Sequence, residues 1–429
     1  MAATQLTLLK SRRFSPFMAA HFQSVFCNNL FKTSMLILVA FSLFEDRAEA
    51  SSSYAMLALG IYALPHILLA AVAGQIADLI DKARLVRIIK VAELFLMLLA
   101  LLALQLQSLP LLLAVLLGVG AKGAFLAALE YSLLPQLLER RELLAGTGLM
   151  QAGAVIAVLT GQIAGGLMSH QSAGVILVLL AAAGMGASWL IPPAPSSRPD
   201  LRPDWNLLAA VVRVVKPPLG ERALRTAMLG ISWFYVVGAL FTSQLAPLIR
   251  NNLGAEPEVV SAFLAMFVLG TAAGAVAVHM IMRGSISARL LPAAMAVLGL
   301  FTMDFWLGVS AFPPGGRDLL SFAELVSMPP AWRLLADLLG VGAAASVMVV
   351  PLYGVLQTAG PVERRGRDVA ANNILNAVAV LLATGLVAAA VALGASIPSL
   401  FLLLGLSTLA IAGGALLLPR GGAAFPPNG

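Results

Sequence analysis

The sequence predicts an all-α polytopic membrane protein with twelve transmembrane helices in two six-helix halves. Three observations predict it. Of the 429 residues, 60% are apolar and 11% are charged, with a mean hydropathy of +0.94. Soluble domains carry about 25% charged residues, and no water-soluble interior of this size holds the excess. Apolar runs of about 20 residues or more, enough to cross a bilayer as a helix, recur twelve times. Lys and Arg gather in alternate gaps between those runs, so the net charge of +7 reads as topology and not as a nucleic-acid surface. Cys27 is the only cysteine, which excludes a disulfide framework. The first apolar run is too long for a cleavable signal peptide and lacks a small-residue cleavage site, so no leader is expected.

In chain order the runs place helices at 16–44, 53–80, 84–107, 109–138, 142–169 and 172–192. After a polar gap they resume at 223–249, 257–282, 286–309, 331–358, 367–393 and 396–419. Residues 1–192 therefore read as an N-terminal six-helix bundle and 223–420 as a C-terminal one. The linker between them, 193–222, follows Pro192 and opens Pro193-Ala194-Pro195-Ser196-Ser197, a run that cannot continue a helix. Trp205–Lys216 then reads as a short interfacial helix, apolar along one side with basic ends. A plain linker and a lipid or partner contact both fit it. The Gly/Pro-rich end, 421–429, is expected to be disordered.

Twelve spans put every second loop on one side. That side collects Lys10, Arg12 and Arg13, then Lys82, Arg84, Arg87 and Lys90, then Arg140 and Arg141. It also collects Arg283 and Arg289, Arg364, Arg365 and Arg367, Arg420, and the six basic residues of the central region, Arg198, Arg202, Arg213, Lys216, Arg222 and Arg225. The opposite side holds Arg47, Arg250, Arg317 and Arg333, and Lys32 and Lys122 lie inside spans. Both termini are therefore expected in the cytoplasm.

The halves echo each other. Span two ends Gly74-Gln75-Ile76-Ala77-Asp78, followed by Lys82 and Arg84, and span eight ends Gly274-Ala275-Val276-Ala277-Val278, followed by Arg283 and Arg289. A six-plus-six parallel repeat with a central cytoplasmic gap resembles the plan of the major facilitator superfamily. Gly74–Arg84 is similar to that superfamily's signature loop between spans two and three. Asp78 sits at the C-terminal end of a helix, where the dipole disfavours an anion, so it needs a partner. The resemblance implies a bond from this Asp to span eleven that latches the cytoplasmic side, with Lys82, Arg84 and Arg367 as its other members.

Ionisable side chains inside spans are costly and are functional candidates by default. They are Lys32, Glu93, Lys122, Glu130, Asp304 and Asp337, joined by His21, His66 and His279. Asn28, Asn29, Lys32 and Lys122 fall at similar mid-membrane depth, and Asn28 and Lys32, four apart, share a helix face. These four are the expected substrate-binding residues. Glu93 and Glu130 lie nearer the cytoplasmic end, where snorkelling or an ion pair with Arg84, Arg87 or Arg140 is expected. Asp304 is expected to be wetted near an outer helix end. Glu130, Gln151, Asp337, Asn372, Asn373 and Asn376 form a possible polar network. The stretches Gly161–Gly166 and Gly270–Gly274 are expected to bring helices close, and Pro135 and Pro351 to kink their spans.

Phosphate-loop, CxxC and HExxH motifs are absent from the sequence, so an enzyme is not expected, and neither cofactor nor metal is implied. Phe22–Thr33, Glu130–Pro135, Gly148–Gln151, Val349–Leu352 and Arg367–Asn376 together resemble stretches of the bacterial lysophospholipid transporter family. This chain departs from the family's usual Asp at Asn28, Lys at Glu130, Asn at Thr147 and Glu at Gln151. The resemblance implies movement of lysophospholipid from the outer to the inner leaflet of the bacterial cytoplasmic membrane, by a monomer among membrane lipids. Reacylation would then fall to a separate acyltransferase or acyl-carrier ligase. The alternative on the same fold is a proton-coupled exporter of drugs or small metabolites, which needs a titratable carboxylate such as Glu130 or Asp337.

Overall fold

The computed structural model describes residues 8–45, 47–139, 142–196, 198, 200, 205–282, 291–313, 319–360 and 364–417. The described residues are helical nearly throughout, and their one β feature is an isolated bridge between Ala255 and Leu320. The first helices are α1 Ser15–Leu38, α2 Ala48–Leu79, α3 Lys82–Gln105, α4 Leu109–Leu137, α5 Leu143–Leu167 and α6 His170–Trp189. Then come α7 Leu207–Gly220, α8 Arg222–Leu248, α9 Pro257–Met282 and α10 Leu291–Ser310. The last are α11 Phe322–Ser327, α12 Pro329–Thr358, α13 Arg365–Ala392 and α14 Ile397–Leu417. α1 and α8 each run on into a π-helical turn, Val39–Leu43 and Ile249–Leu253.

Eleven helices are long and apolar enough to cross a membrane. α3 matches them in length but packs Lys82, Arg84, Arg87, Lys90 and Glu93 into its first half. With it, the twelve predicted spans all have a helix. The start of α2 shifts by five residues, to Ala48 from the expected 53. The serines there read as a break, yet Ser52 is buried and donates to Gln244 Oε1 at 2.6 Å, so its hydroxyl is satisfied inside the fold. In the linker, Asn206 Oδ1 accepts the Ala209 N–H at 3.0 Å, which starts α7 at Leu207. That helix runs on to Gly220 through Pro217 and Pro218. The sequence reading missed α11, although Ser321 and Glu324 form a reciprocal capping box at its start. Arg140, Arg141, Arg202, Arg283, Arg289, Arg317, Arg420 and the expected disordered tail lie outside the described residues.

The chain divides into two compact units. The first takes the chain up to Leu38 and from Ile61 to Val214; the second takes Val39–Gly60 and the chain from Val215. In the first unit α1 packs on α5 and α6, and α3 on α4 and α6. In the second α8 packs on α12 and α13, α9 on α12, and α10 on α12 and α14. Span one on five recurs as seven on eleven, and three on six as nine on twelve. That is the internal repeat, expressed as packing. Gly161 and Gly165 of α5 face the backbone of α1 near Phe26 and Leu30, while Gly270 and Gly274 of α9 face the carbonyls of Leu339 and Ala343. A methyl group at any of the four would run into backbone, so both small-residue stretches serve close packing.

Candidate functional site

Four polar side chains of the first unit converge on Glu93. Along α1, Ala20, Ser24 and Asn28 repeat every four residues, with Gln23 beside them, and so share a face. α3 contributes Lys90 and Glu93, three apart, and α4 contributes Lys122. Glu93 Oε2 accepts from Lys90 Nζ at 2.8 Å and from Ser24 Oγ at 2.7 Å. Its Oε1 accepts from Lys122 Nζ at 2.8 Å and Gln23 Nε2 at 3.4 Å. The side chains of Lys90 and Glu93 are 0% exposed and that of Lys122 is 2% exposed.

The two lysines differ in what they have left to give. Lys90 also donates to the Ala20 carbonyl at 2.5 Å, Gln23 Oε1 at 2.6 Å and Ser24 Oγ at 2.8 Å. Four acceptors surround its three N–H groups, so it is saturated. Lys122 donates to Glu93 and to Asn28 Oδ1 at 2.7 Å, which leaves one N–H over. At ordinary charges the cluster carries two ammonium groups and one carboxylate, one positive charge in excess. Buried charge is tolerated only where it is paired and hydrogen-bonded, so a cluster with this excess is suited to an anion. Gly184 of α6 makes room for it: a Cβ there would fall on the Gln23 carboxamide.

The four expected substrate-binding residues do not form one group. Asn28 and Lys122 meet. Asn29 turns to its own helix, donating to the Val25 carbonyl at 2.8 Å, with its Cβ in the packing surface toward Gly161. Lys32 places Nζ 4.7 Å from the centre of the Tyr62 ring, a cation–π contact. Tyr62 in turn lies beside His66, ring centres 5.2 Å apart.

The expectation for Glu93 needs correction. It neither snorkels nor pairs with Arg84, Arg87 or Arg140; its partners are Lys90 and Lys122. Lys90, counted above among the cytoplasmic loop charges, lies eight residues into α3, about 12 Å along its axis. Gln23, Ser24 and Lys90 are the site residues that sequence reasoning passed over; Glu93 was a candidate with other partners expected. The available signals were the Lys90–Glu93 spacing of three and the four-residue repeat of small polar groups on span one.

At the end of this unit where a latch is expected, Asp81 caps α3, accepting the Arg84 N–H at 2.8 Å and the Ala194 N–H at 3.0 Å. Lys82 is fully buried, and Asp78 and Asp81 are the carboxylates that act on it. The Asp78 carbonyl accepts the Arg198 N–H at 2.9 Å. Arg84 is exposed. Glu130 accepts from Gln151 Nε2 at 3.2 Å, which joins one expected pair of the polar network.

In the second unit the expected residues form two groups. At the start of α13, Arg364 pairs with Glu221 and, at 3.0 Å, with Asp368, while Arg367 is exposed. Arg364 outside the span is held more firmly protonated by the Glu221 carboxylate beside it. Asn372 and Asn376 follow Asp368 at intervals of four. Asn376 accepts from Ser232 Oγ at 2.9 Å. Asn372 is fully buried, with neither amide atom hydrogen-bonded among the described residues, and Asn373 is half-buried. Asp337 is buried one turn beyond Arg333, which forms an ion pair with the partly exposed Asp304. The side chain of Asp304 is 41% exposed.

Among chains of known name, a lysophospholipid transporter LplT of Pectobacterium carotovorum is 27% identical over 399 residues, covering 91% of this chain and 89% of that one. A protein of the same name from Citrobacter koseri is 27% identical over 396 residues, covering 90% and 91%. Among solved structures, the nucleoside transporter NupG aligns with a TM-score of 0.68 at 10% identity, covering 94% of this chain and 99% of that one. The human organic anion transporter MFSD10 aligns at 0.63 and 15% identity, covering 94% and 99%. At such identities these likenesses show the fold. A family model matches residues 17–384, and with twelve membrane-length helices and the repeated packing, the chain belongs to the Major Facilitator Superfamily.

Proposed function

We propose that this membrane transporter moves a lysophospholipid, or a related single-acyl lipid, from the outer to the inner leaflet of the bacterial cytoplasmic membrane by alternating access. The observation that carries the reading is the Lys90–Glu93–Lys122–Asn28 cluster, with one positive charge in excess and one Lys122 N–H to spare. A phosphodiester supplies both the missing charge and the missing acceptor. Lys90 and Glu93 act as positioning residues, and Asn28 and Lys122 meet the headgroup. Lys32, on the same helix and held by Tyr62, is a second cation for the same phosphate. The names of the relatives from Pectobacterium and Citrobacter support the substrate class.

Both termini face the cytoplasm in this reading, because the basic residues gather on their side. The lipid delivered there is reacylated by a separate acyltransferase or acyl-carrier ligase, and the transporter works as a monomer. Asp78, Lys82, Arg84 and Arg367 close the cytoplasmic side in one of its states. Because Asn28 stands where the resembled family carries an acid, the headgroup met here need not offer a cation to that position. The test is protection of fluorescent lysophosphatidylethanolamine from an external quencher in proteoliposomes. Wild-type protein should move the probe inward, and Lys122→Met should slow it at least tenfold. Rates equal to those of protein-free liposomes would refute the proposal.

A further inference from the structure

A groove of about 590 Å³ opens on the surface of the first unit where α3 meets the end of α6. Two arginines define its polar end. Arg87 is clamped: Nη2 donates to the Ile191 carbonyl at 3.0 Å and Nε to the Ser188 carbonyl at 3.4 Å, with the guanidinium 5.4 Å from the Trp189 ring. Those bonds fix the plane of the fork and leave the Nη1 hydrogens for a ligand. Arg84 is exposed, and among the described residues no carboxylate pairs with its guanidinium. The one carboxylate in the lining, Asp81, has its oxygens engaged by the Arg84 and Ala194 N–H groups.

Beyond the arginines the wall turns apolar along a single stripe of α3. Ile88 and Val91 line the groove and Phe95 continues the stripe past it; the three follow Arg84 at helical spacing and are 52%, 37% and 67% exposed. From Arg84 to Phe95 the helix rises about 16 Å, half the thickness of a bilayer's hydrocarbon core. Trp189, 62% exposed on the opposite wall at the end of α6, offers an indole ring of the kind that favours a membrane interface. A phosphate at the fork and an acyl chain up the stripe match this layout in charge, length and order.

We infer that the groove is a binding site for an anionic glycerophospholipid of the leaflet at the Arg84 end, its phosphate between Arg84 and Arg87 and one acyl chain along Ile88, Val91 and Phe95. The site is separate from the Glu93 cluster and does not depend on what that cluster carries. A two-chain lipid held there occupies the flank of span three at the charged end where Lys82 and Asp78 also lie. It thereby ties the leaflet's composition to that end of the helix.

The purified full-length protein, exchanged into detergent with equal amounts of phosphatidylglycerol and phosphatidylcholine of the same chains, is examined by native mass spectrometry. Wild-type protein should retain phosphatidylglycerol preferentially. Arg84→Gln should lower that retention about tenfold, the loss of one charge-assisted contact. Trp189→Leu should lower it without changing the order of the two lipids. Arg225→Gln, at an exposed arginine in the second unit, serves as the control for net charge and should retain lipid as wild type does. Equal retention of both lipids by wild type, an Arg84→Gln variant that behaves as wild type, or equal losses for Arg84→Gln and Arg225→Gln would each overturn the assignment.

Discussion

Replacing Glu93 with Gln removes one charge and almost no volume, so its effect isolates the electrostatics of the buried cluster. In the wild type, four donors converge on this carboxylate, two of them ammonium groups. In the variant, Lys90 and Lys122 are left buried with no counter-charge, and the new amide N–H groups face donors. Removing one partner of a buried ion pair costs about 3–5 kcal/mol.

Cys27 supplies the assay. It is the only cysteine in the sequence, is buried, and lies 3.1 Å from Gln23 Nε2 at the edge of the cluster. A thiol-reactive fluorogenic dye therefore reports the opening of this site on heating. On the entropy scale of soluble proteins, about 2.1 cal/mol/K per residue, the expected loss lowers the midpoint by about 3–6 °C. Charge counting adds a sharper test. Lys90→Met/Glu93→Gln restores a single excess positive charge, so the double variant should unfold above Glu93→Gln although it has lost more contacts. If Glu93→Gln unfolds within a degree of wild type and transports normally, the excess-charge argument fails.

Gly184→Ala should disturb the same cluster from α6, since the added methyl displaces the Gln23 carboxamide from Lys90. Transport should fall severalfold at normal expression, and a wild-type rate would show that Gln23 is dispensable. Asn372→Leu should raise the unfolding midpoint, because a buried amide without partners costs about 1–3 kcal/mol; a lowered midpoint would reveal a partner in another state. Uptake into proteoliposomes should be equal with and without an imposed proton gradient. Of the two residues bonded to Lys122, Asn28 is an amide and cannot titrate, and Glu93 is tied to Lys90 as well as to Lys122. Severalfold stimulation, abolished by Glu130→Gln or Asp337→Asn, would favour a proton-coupled exporter instead.

The fold was legible because the bilayer demands one thing of every span, and that demand is written in composition. Twelve apolar runs became twelve helices, and Gly161, Gly165, Gly270 and Gly274 sit where small residues let backbones touch. Legibility failed where a polar residue is satisfied by a distant partner. Ser52 reads as a break until Gln244, 192 residues away, is seen to accept its proton. The capping box of α11 failed for the opposite reason: Ser321 and Glu324 are local and visible, but six residues are too few to register beside the spans.

The site was half legible, and the missing half follows from how depth was judged. Asn28 and Lys122 were matched because each lies near the middle of its own span. Lys90 was assigned to the loop because it follows Lys82, Arg84 and Arg87 in a run that looks like one basic cluster. Yet 84 and 87 are on the outer side of α3, at the groove, while 90 and 93 turn inward to α1 and α4. The same first turns of one helix thus carry two charge sets with different neighbours. Sequence distance alone merges them, whereas helical angle separates them. Lys32 shows the converse: four residues from Asn28 and nominally on its face, it is drawn to Tyr62, because a long side chain reaches the nearest π surface when no carboxylate is left to take it. Glu93 therefore meets one lysine from its own helix, Lys90, and one from α4, Lys122.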